Sequence, residues 1–265
     1  MAFRSWAPQH IAKFNSAASS EFLDFYENYV DEQIKKDAAR PSNKTFAASS
    51  FRCDRKSWFR LRGVQPDTVT VPDRGLQFTA DIGTACHRII QTNLKAGLKE
   101  NWLSVSKYLN DLEQTDYKFT YNLKEDEDGL ETLVEVTDPY PVRFACDGLI
   151  RWNDTIYLLE IKTSEYSSWN DMTDPKEEHI DQVKCYATLL HLDNVLFLYQ
   201  DRQHGDFKCY ELKVTSLDKE NIVNRFEHVM KCVKTNLAPD PLPKGDKWCN
   251  PSMCPYYKKC SEYGR

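Results

Sequence analysis

The chain has 265 residues, 41% of them hydrophobic and 28% charged, and a net charge of −5. This length can bury a sizeable core in one elaborated domain, no apolar run nears the roughly 20 residues of a membrane span, and the acidic balance excludes a globally basic nucleic-acid binder. Residues 1–14, "MAFRSWAPQHIAKF", hold no apolar signal-peptide core, so a cytoplasmic protein with no membrane partner is expected.

In chain order, residues 1–47 read as polar helical material, with "SSEFLDFYENYVDEQIKK" as one amphipathic helix. "SSFRCDRKSWFRLRG" opens on serine, a helix cap, and closes on Gly63, which predicts a short helix. It carries Arg52, Arg55, Lys56, Arg60 and Arg62 against Asp54. A loop with Pro66 and Pro72 follows. "TADIGTACHRIIQTNLKAGL" predicts a helix near 80–97, and another is expected over 103–114. Three strand-like runs come next: "LETLVEVTD", "PVRFACDGLIRW" and "TIYLLEIKTS". A polar loop with Pro175 leads to the helix "PKEEHIDQVKCYATLLHL", whose acids sit in its first turn. "NVLFLYQDR" and "DFKCYELKVT" are two more strands, and "SLDKENIVNRFEHVMKCVKTNL" is the last long helix, with Ser216 as its cap. The tail from Pro239 is proline-rich and shows no periodicity. Helices, a three-stranded meander, a helix, two strands and a helix predict an α/β fold, a mixed central sheet flanked by helices.

Two acids interrupt the apolar runs of the central hairpin, Asp147 and Glu160. If Asn153-Asp154 is a two-residue turn, Trp152 pairs with Thr155 and Asp147 falls opposite Glu160. Opposed Cβ atoms lie roughly 4.5–5.5 Å apart, where like charges repel. A divalent cation or a lysine would offset that repulsion. Lys162 shares the face of Glu160, and two carboxylates suit a hard ion such as Mg²⁺ or Mn²⁺. Such an ion polarises a phosphoryl oxygen and lowers the pKa of bound water, and Lys162 would orient that water or stabilise developing charge. The constellation suits phosphodiester hydrolysis; a surface salt bridge on a solvent-facing hairpin is the plainer alternative. His87 follows Gly83 by one turn of a predicted helix, and Gln182 and Tyr186 stand at i and i+4 on one face of another.

The ordered set of Cys53, Gly83-Thr84-x-x-His87, Asp147, Glu160-Ile161-Lys162, Gln182-x-x-x-Tyr186 and the terminal Cys249, Cys254 and Cys260 spans residues 53–260. In that order the motifs resemble the RecB-like branch of the PD-(D/E)XK nucleases. The set is similar to the iron–sulfur exonucleases that include the CRISPR-associated RecB-like family and the AddB nuclease domain. The resemblance implies a restriction-endonuclease-like sheet. It implies a divalent metal held by His87, Asp147, Glu160 and the Ile161 carbonyl, with Lys162 catalytic and Gln182 and Tyr186 as substrate contacts. It also implies a prokaryotic or phage-encoded protein. The first two terminal cysteines are spaced C-x4-C, where C-x2-C is commoner in that family. No G-x-x-x-x-G-K-[ST] helicase motif occurs, so the chain is a nuclease module at most.

Nine cysteines in a reducing compartment point to metal or buried thiols rather than disulfides. Cys53, Cys249, Cys254 and Cys260 suit a 4Fe-4S cluster or a structural Zn²⁺, and the resemblance favours the cluster. It would tie the C-terminal tail to an early helix. The expected organisation is a helical extension over 1–50, a nuclease core over 51–238 and a cysteine tail over 239–265. Cys86, Cys146, Cys185, Cys209 and Cys232 read as small buried hydrophobes. Closing the tail on Cys53 would gather the basic runs into a DNA-facing surface, with Arg52, Arg55, Lys56 and Arg60 as substrate contacts. Trp58, Phe59, Trp248, Tyr256 and Tyr257 would stack bases, or else pack the core. The expected activity is a metal-dependent DNA exonuclease acting on single strands or ends in recombination, repair or processing. A helicase, a recombinase or another DNA-processing protein is the expected partner. An endonuclease of the same fold and a non-catalytic iron–sulfur DNA-binding or assembly module are the alternatives.

Overall fold

The computed structural model describes residues 17–40, 43–48, 51–67, 71–112, 115, 117–243 and 245–263. They divide into two compact units, Met1–Pro41 with Val69–Asp81, and Ser42–Thr68 with Ile82–Arg265. In the first, helix α1 (Ala17–Ala38) takes the place of the expected amphipathic helix, and Arg74 pairs with its Glu27 and Asp31 at 2.7 and 3.0 Å. Among the described residues no helix is long and apolar enough to cross a membrane.

The second unit is mixed α/β with two sheets. One has four strands in the order β1-β5-β4-β3, the other five in the order β2-β6-β7-β8-β9. Their ranges are β1 Phe46–Ala47, β2 Trp102–Leu103, β3 Thr120–Glu125, β4 Thr132–Asp138 and β5 Val142–Cys146. The others are β6 Gly148–Trp152, β7 Thr155–Ser164, β8 Asn194–Asp201 and β9 Phe207–Lys213. β7 and β8 run parallel, joined through α6 (Glu177–Leu189); the other neighbours of the five-stranded sheet are antiparallel. Helix α3 (Arg74–Leu98) starts earlier than the periodicity predicts, and from Ile82 onward it belongs to this unit.

β7 is buried on both faces over Leu158–Ile161, as a central strand must be. Leu159 and Ile161 meet Ile90 and Leu94 of α3 on one face. Leu158 on the other face joins the main core with Val195, Phe197, and Val183 and Ala187 of α6. Alternation along the strand therefore puts Glu160 and Lys162 on the α6 side.

The run "PVRFACDGLIRW" is not one strand of a meander. β5 ends at Cys146 in the first sheet and β6 begins at Gly148 in the second. Asp147 is the single residue between them. Gly148 leaves room for the Trp102 ring, since a Cβ there would come within 2.6 Å of it and one of the two would have to shift. The hairpin itself is as expected: Asn153 and Asp154 both take positive φ, and Trp152 pairs with Thr155.

Several caps and ends differ from expectation. α2 (Asp54–Leu61) has Cys53 at its N-cap position without a side-chain cap hydrogen bond, and its chain turns at Gly63 with φ +68; Ser49 and Ser50 lie outside the described residues. α4 covers only Val105–Asn110 of the helix expected over 103–114, of which 113–114 lie outside the described residues. A short helix α5 (Tyr166–Asn170) occupies the predicted polar loop. α7 (Ser216–Thr235) is capped one residue early, by Thr215 in a reciprocal capping box with Asp218. The tail ends in a short helix α8 (Tyr257–Glu262).

Candidate active site

β7, the Asp147 crossing, α3 and α6 bring the expected acids together. The last paired residues of the hairpin are Gly148 and Leu159, so Asp147 lies one step beyond the ladder, on the register that faces Glu160. Its Oδ2 accepts a 2.7 Å hydrogen bond from the Ile161 amide, and its Oδ1 stands 3.6 Å from His87 Nδ1. Glu160 is 2% exposed. Its Oε1 pairs with Lys162 Nζ and accepts from Gln182 Nε2 at 3.0 Å. Gln182 Nε2 also donates to the Tyr186 hydroxyl at 2.7 Å, and the Tyr186 ring stacks on Phe144 at 4.2 Å between centroids.

Burial, then the Asp147 charge, pushes the Glu160 carboxyl up to about 7, against the opposing pull of Lys162 and His87. Burial also raises the Tyr186 phenol, and the Glu160 charge adds to that. An acid that prefers its proton at this depth is one whose charge calls for a cation. Two carboxylates, an imidazole and a nearby backbone carbonyl at Ile161 are a donor set suited to a small hard ion. Among the described residues no three His, Cys, Asp or Glu side chains are gathered closely enough to hold a metal ion as they stand.

Three further residues belong to this neighbourhood and escaped sequence reasoning. Gln91, buried one turn after His87 on α3, donates Nε2 to the Asp147 carbonyl at 2.8 Å and to the Leu130 carbonyl at 3.4 Å. Glu131, just before β4, has its carboxyl raised by burial and then by Asp147, with His87 opposing. His179 shares a 2.7 Å hydrogen bond through Nδ1 with the Tyr199 hydroxyl. Burial and then the Lys162 charge bring its pKa down to about 4. The spacings of Gln91 from His87 and of His179 from Gln182 were available signals; Glu131 sat unmarked in an acidic run.

The sequence matches no family model. No curated protein matches it. It is similar to the solved structure of SSO0001, at 17% identity over 88% of this chain and 94% of that one, with a TM-score of 0.45. It is also similar to an alkaline exonuclease, LHK-Exo, from Laribacter hongkongensis. That match has 13% identity over 76% and 93% of the two chains and a TM-score of 0.40. For LHK-Exo in complex with dAMP the values are 16%, 75% and 91%, and 0.42.

The four expected cysteine ligands face a common space, though they are not gathered closely enough to hold an ion as they stand. Cys53, Cys249, Cys254 and Cys260 all line one cavity of about 240 Å³, together with Arg52, Arg55, Lys56 and Trp248. The tail is seated there by packing: Tyr256 stacks on Phe59 at 5.1 Å, and Asp67 accepts from the Lys258 and Lys259 amides. Burial raises the Cys53 thiol, with Cys254 and Cys260 adding to the effect. Burial likewise raises Cys254, which Lys56 partly offsets. Soft sulfur donors around one space, and a buried Trp248 N–H with no acceptor among the described residues, fit a sulfur-ligated group.

The side chains of the basic run, expected to face DNA, make contacts within the protein. Arg55 is 4% exposed and spends its guanidinium on the carbonyls of Pro239 at 2.6 Å and Cys260 at 3.3 Å. Arg52 pairs with Glu177 and Asp181 of α6 at 2.7 and 3.0 Å and lies over the Trp248 ring. Arg60, its pKa lowered by burial, donates to the Asn43 carbonyl at 3.2 Å. Half-buried Lys56 lines the cysteine cavity. Trp58, Phe59 and Tyr256 are core residues rather than stacking platforms. Of the five cysteines expected in the core, Cys146 and Cys185 are buried, Cys86 and Cys232 half-buried and Cys209 exposed.

Proposed function

We propose that the chain is a divalent-metal-dependent nuclease that hydrolyses phosphodiester bonds of DNA, an exonuclease acting on single strands or ends. The observation that carries this reading is the meeting of Asp147 and Glu160 beside His87 and Lys162, with the Glu160 carboxyl held up to about 7 by burial and by its acidic neighbour. His87, Asp147, Glu160 and the Ile161 carbonyl would hold Mg²⁺ or Mn²⁺. When bound, the ion would supply Lewis-acid polarisation and a lowered water pKa. The Ile161 amide fixes the Asp147 carboxylate, and Gln182 fixes Glu160, so the acids are oriented before substrate arrives. Lys162 would steady the attacking water and the charge that develops on the phosphoryl oxygens. Gln182 and Tyr186 would bound the path of the scissile strand. Cys53, Cys249, Cys254 and Cys260 would hold a 4Fe-4S cluster that locks the tail onto α2, Zn²⁺ being the alternative occupant. We place the protein in the cytoplasm of a prokaryote or phage-infected cell, working with a helicase or recombinase.

The test is cleavage of end-labelled and circular DNA, single- and double-stranded, with Mg²⁺, Mn²⁺ or EDTA. Asp147→Ala, Glu160→Ala and Lys162→Ala should each abolish cleavage while DNA binding persists. Wild-type cleavage that survives excess EDTA would sink the metal-dependent reading. Attack on circles as fast as on linear DNA would replace the exonuclease by an endonuclease.

A further inference from the structure

We propose that Arg55 and Trp248 are N–H donors to the sulfur of the centre held by the four cysteines, and that together they raise its reduction potential. This deepens the cluster reading above and rests on it.

The two residues come from opposite ends of the chain and meet at one cavity. Arg55 is the buried cation of α2. Besides its two carbonyl bonds, its Nη1 lies 3.8 Å from Cys260 Sγ, within reach of an N–H···S hydrogen bond. A guanidinium keeps its charge at any working pH, so this donor stays cationic. Trp248 precedes Cys249 and lines the same cavity. Its indole N–H is buried without an acceptor among the described residues. Two cations lie over the ring, Arg52 at 5.7 Å and Lys247 at 5.3 Å from its centroid. A buried donor of this kind is costly unless something accepts from it, and sulfur of a thiolate-ligated cluster is an acceptor of the right kind in the right place.

Hydrogen bonds to sulfur and nearby positive charge favour the more negative, reduced state of such a centre. Removing either donor should therefore lower the potential for one-electron reduction by dithionite. The geometry also gives Arg55 a role other than DNA contact, which its burial forbids.

The experiment uses the full chain purified anaerobically, as wild type, Trp248→Phe and Arg55→Lys. Iron and sulfide content are measured alongside the midpoint potential, by dye-mediated redox titration. Trp248→Phe should keep its iron, its sulfide and its melting temperature, yet shift the reduced-to-oxidised ratio tenfold toward oxidised, 59 mV for one electron. Arg55→Lys keeps the charge and loses the fork, and should shift in the same direction. Trp248→Phe alone decides the matter if Arg55→Lys fails to fold. Full iron content with an unmoved potential overturns the inference and leaves the cluster reading standing. Wild-type protein that carries zinc or no metal overturns both.

Discussion

Asp147 occupies the single position between two strands of different sheets, so its backbone needs anchoring from outside both ladders. Gln91 supplies that anchor through the Asp147 carbonyl. Gln91→Leu should remove the side-chain hydrogen bonds to the Asp147 and Leu130 carbonyls, at a cost of about 1–3 kcal/mol for each carbonyl left unsatisfied, and should weaken Mn²⁺ binding as Asp147 loosens. A lowered melting temperature with unchanged Mn²⁺ affinity would make Gln91 purely structural. Glu160 gives a second prediction, with a sign that follows from its raised pKa. The folded state holds the proton that the unfolded state releases near 4.5. Metal-free protein should thus be most favoured, as far as this group goes, below that pH. It should lose about 3 kcal/mol as the pH rises from there through about 7. Glu160→Gln removes this dependence, so urea denaturation of both proteins at pH 5 and pH 8 should show the variant gaining on the wild type, and saturating Mg²⁺ should restore the wild type. The acid pair was legible because an Asn-Asp turn fixes register, and register fixes which side chains oppose each other. Gln91, His179 and Glu131 were not, because their roles depend on which helix face and which loop meet the sheet.

At the scale of elements, the same logic explains what composition alone misassigned. Arg52 and the basic residues of α2 look like a single patch in sequence, but the helix turns Arg55 inward, while Arg52, ahead of the helix, stays near the surface and reaches α6. The two should differ sharply on truncation. Arg52→Ala removes partly exposed pairs and should cost roughly 0–1 kcal/mol, less at high salt. Arg55→Ala strands the buried carbonyls of Pro239 and Cys260 and should cost about 2–5 kcal/mol, insensitive to salt. Equal losses in urea denaturation at low and high salt would show that burial is not what separates them. The strands were easier: the alternation of Val195, Phe197, Tyr199 and Asp201 in β8 and the four-residue buried run of β7 follow directly from half-buried and fully buried positions. What sequence could not reveal was the break at Asp147, since an apolar run reads the same whether its two halves share a sheet or change sheets.

For the molecule as a whole, the question is what closes the chain's ends on each other. Cys53 and the tail were read from sequence as partners in one metal site; the packing brings them to one cavity and provides a closure independent of any metal. Asp67 takes the amides of Lys258 and Lys259 and pairs with Lys259 Nζ at 3.2 Å, while Phe59 and Tyr256 stack. An aromatic pair adds about 0.5–1.5 kcal/mol beyond its burial, and the Asp67 bonds a few more. A four-thiolate metal site is far stronger, about 10–16 kcal/mol for structural zinc in small peptides. With metal bound, the Asp67 contacts should be nearly redundant; without it, they should decide whether the tail stays down. Asp67→Ala is therefore expected to leave proteolysis of residues 239–256 unchanged in the protein as purified anaerobically, and to speed it about tenfold or more after the metal is stripped by chelator. Wild type stripped in the same way should fall between the two. If Asp67→Ala is cut equally fast before and after stripping, the cysteine site does not hold the tail, and packing alone joins the two ends of this fold.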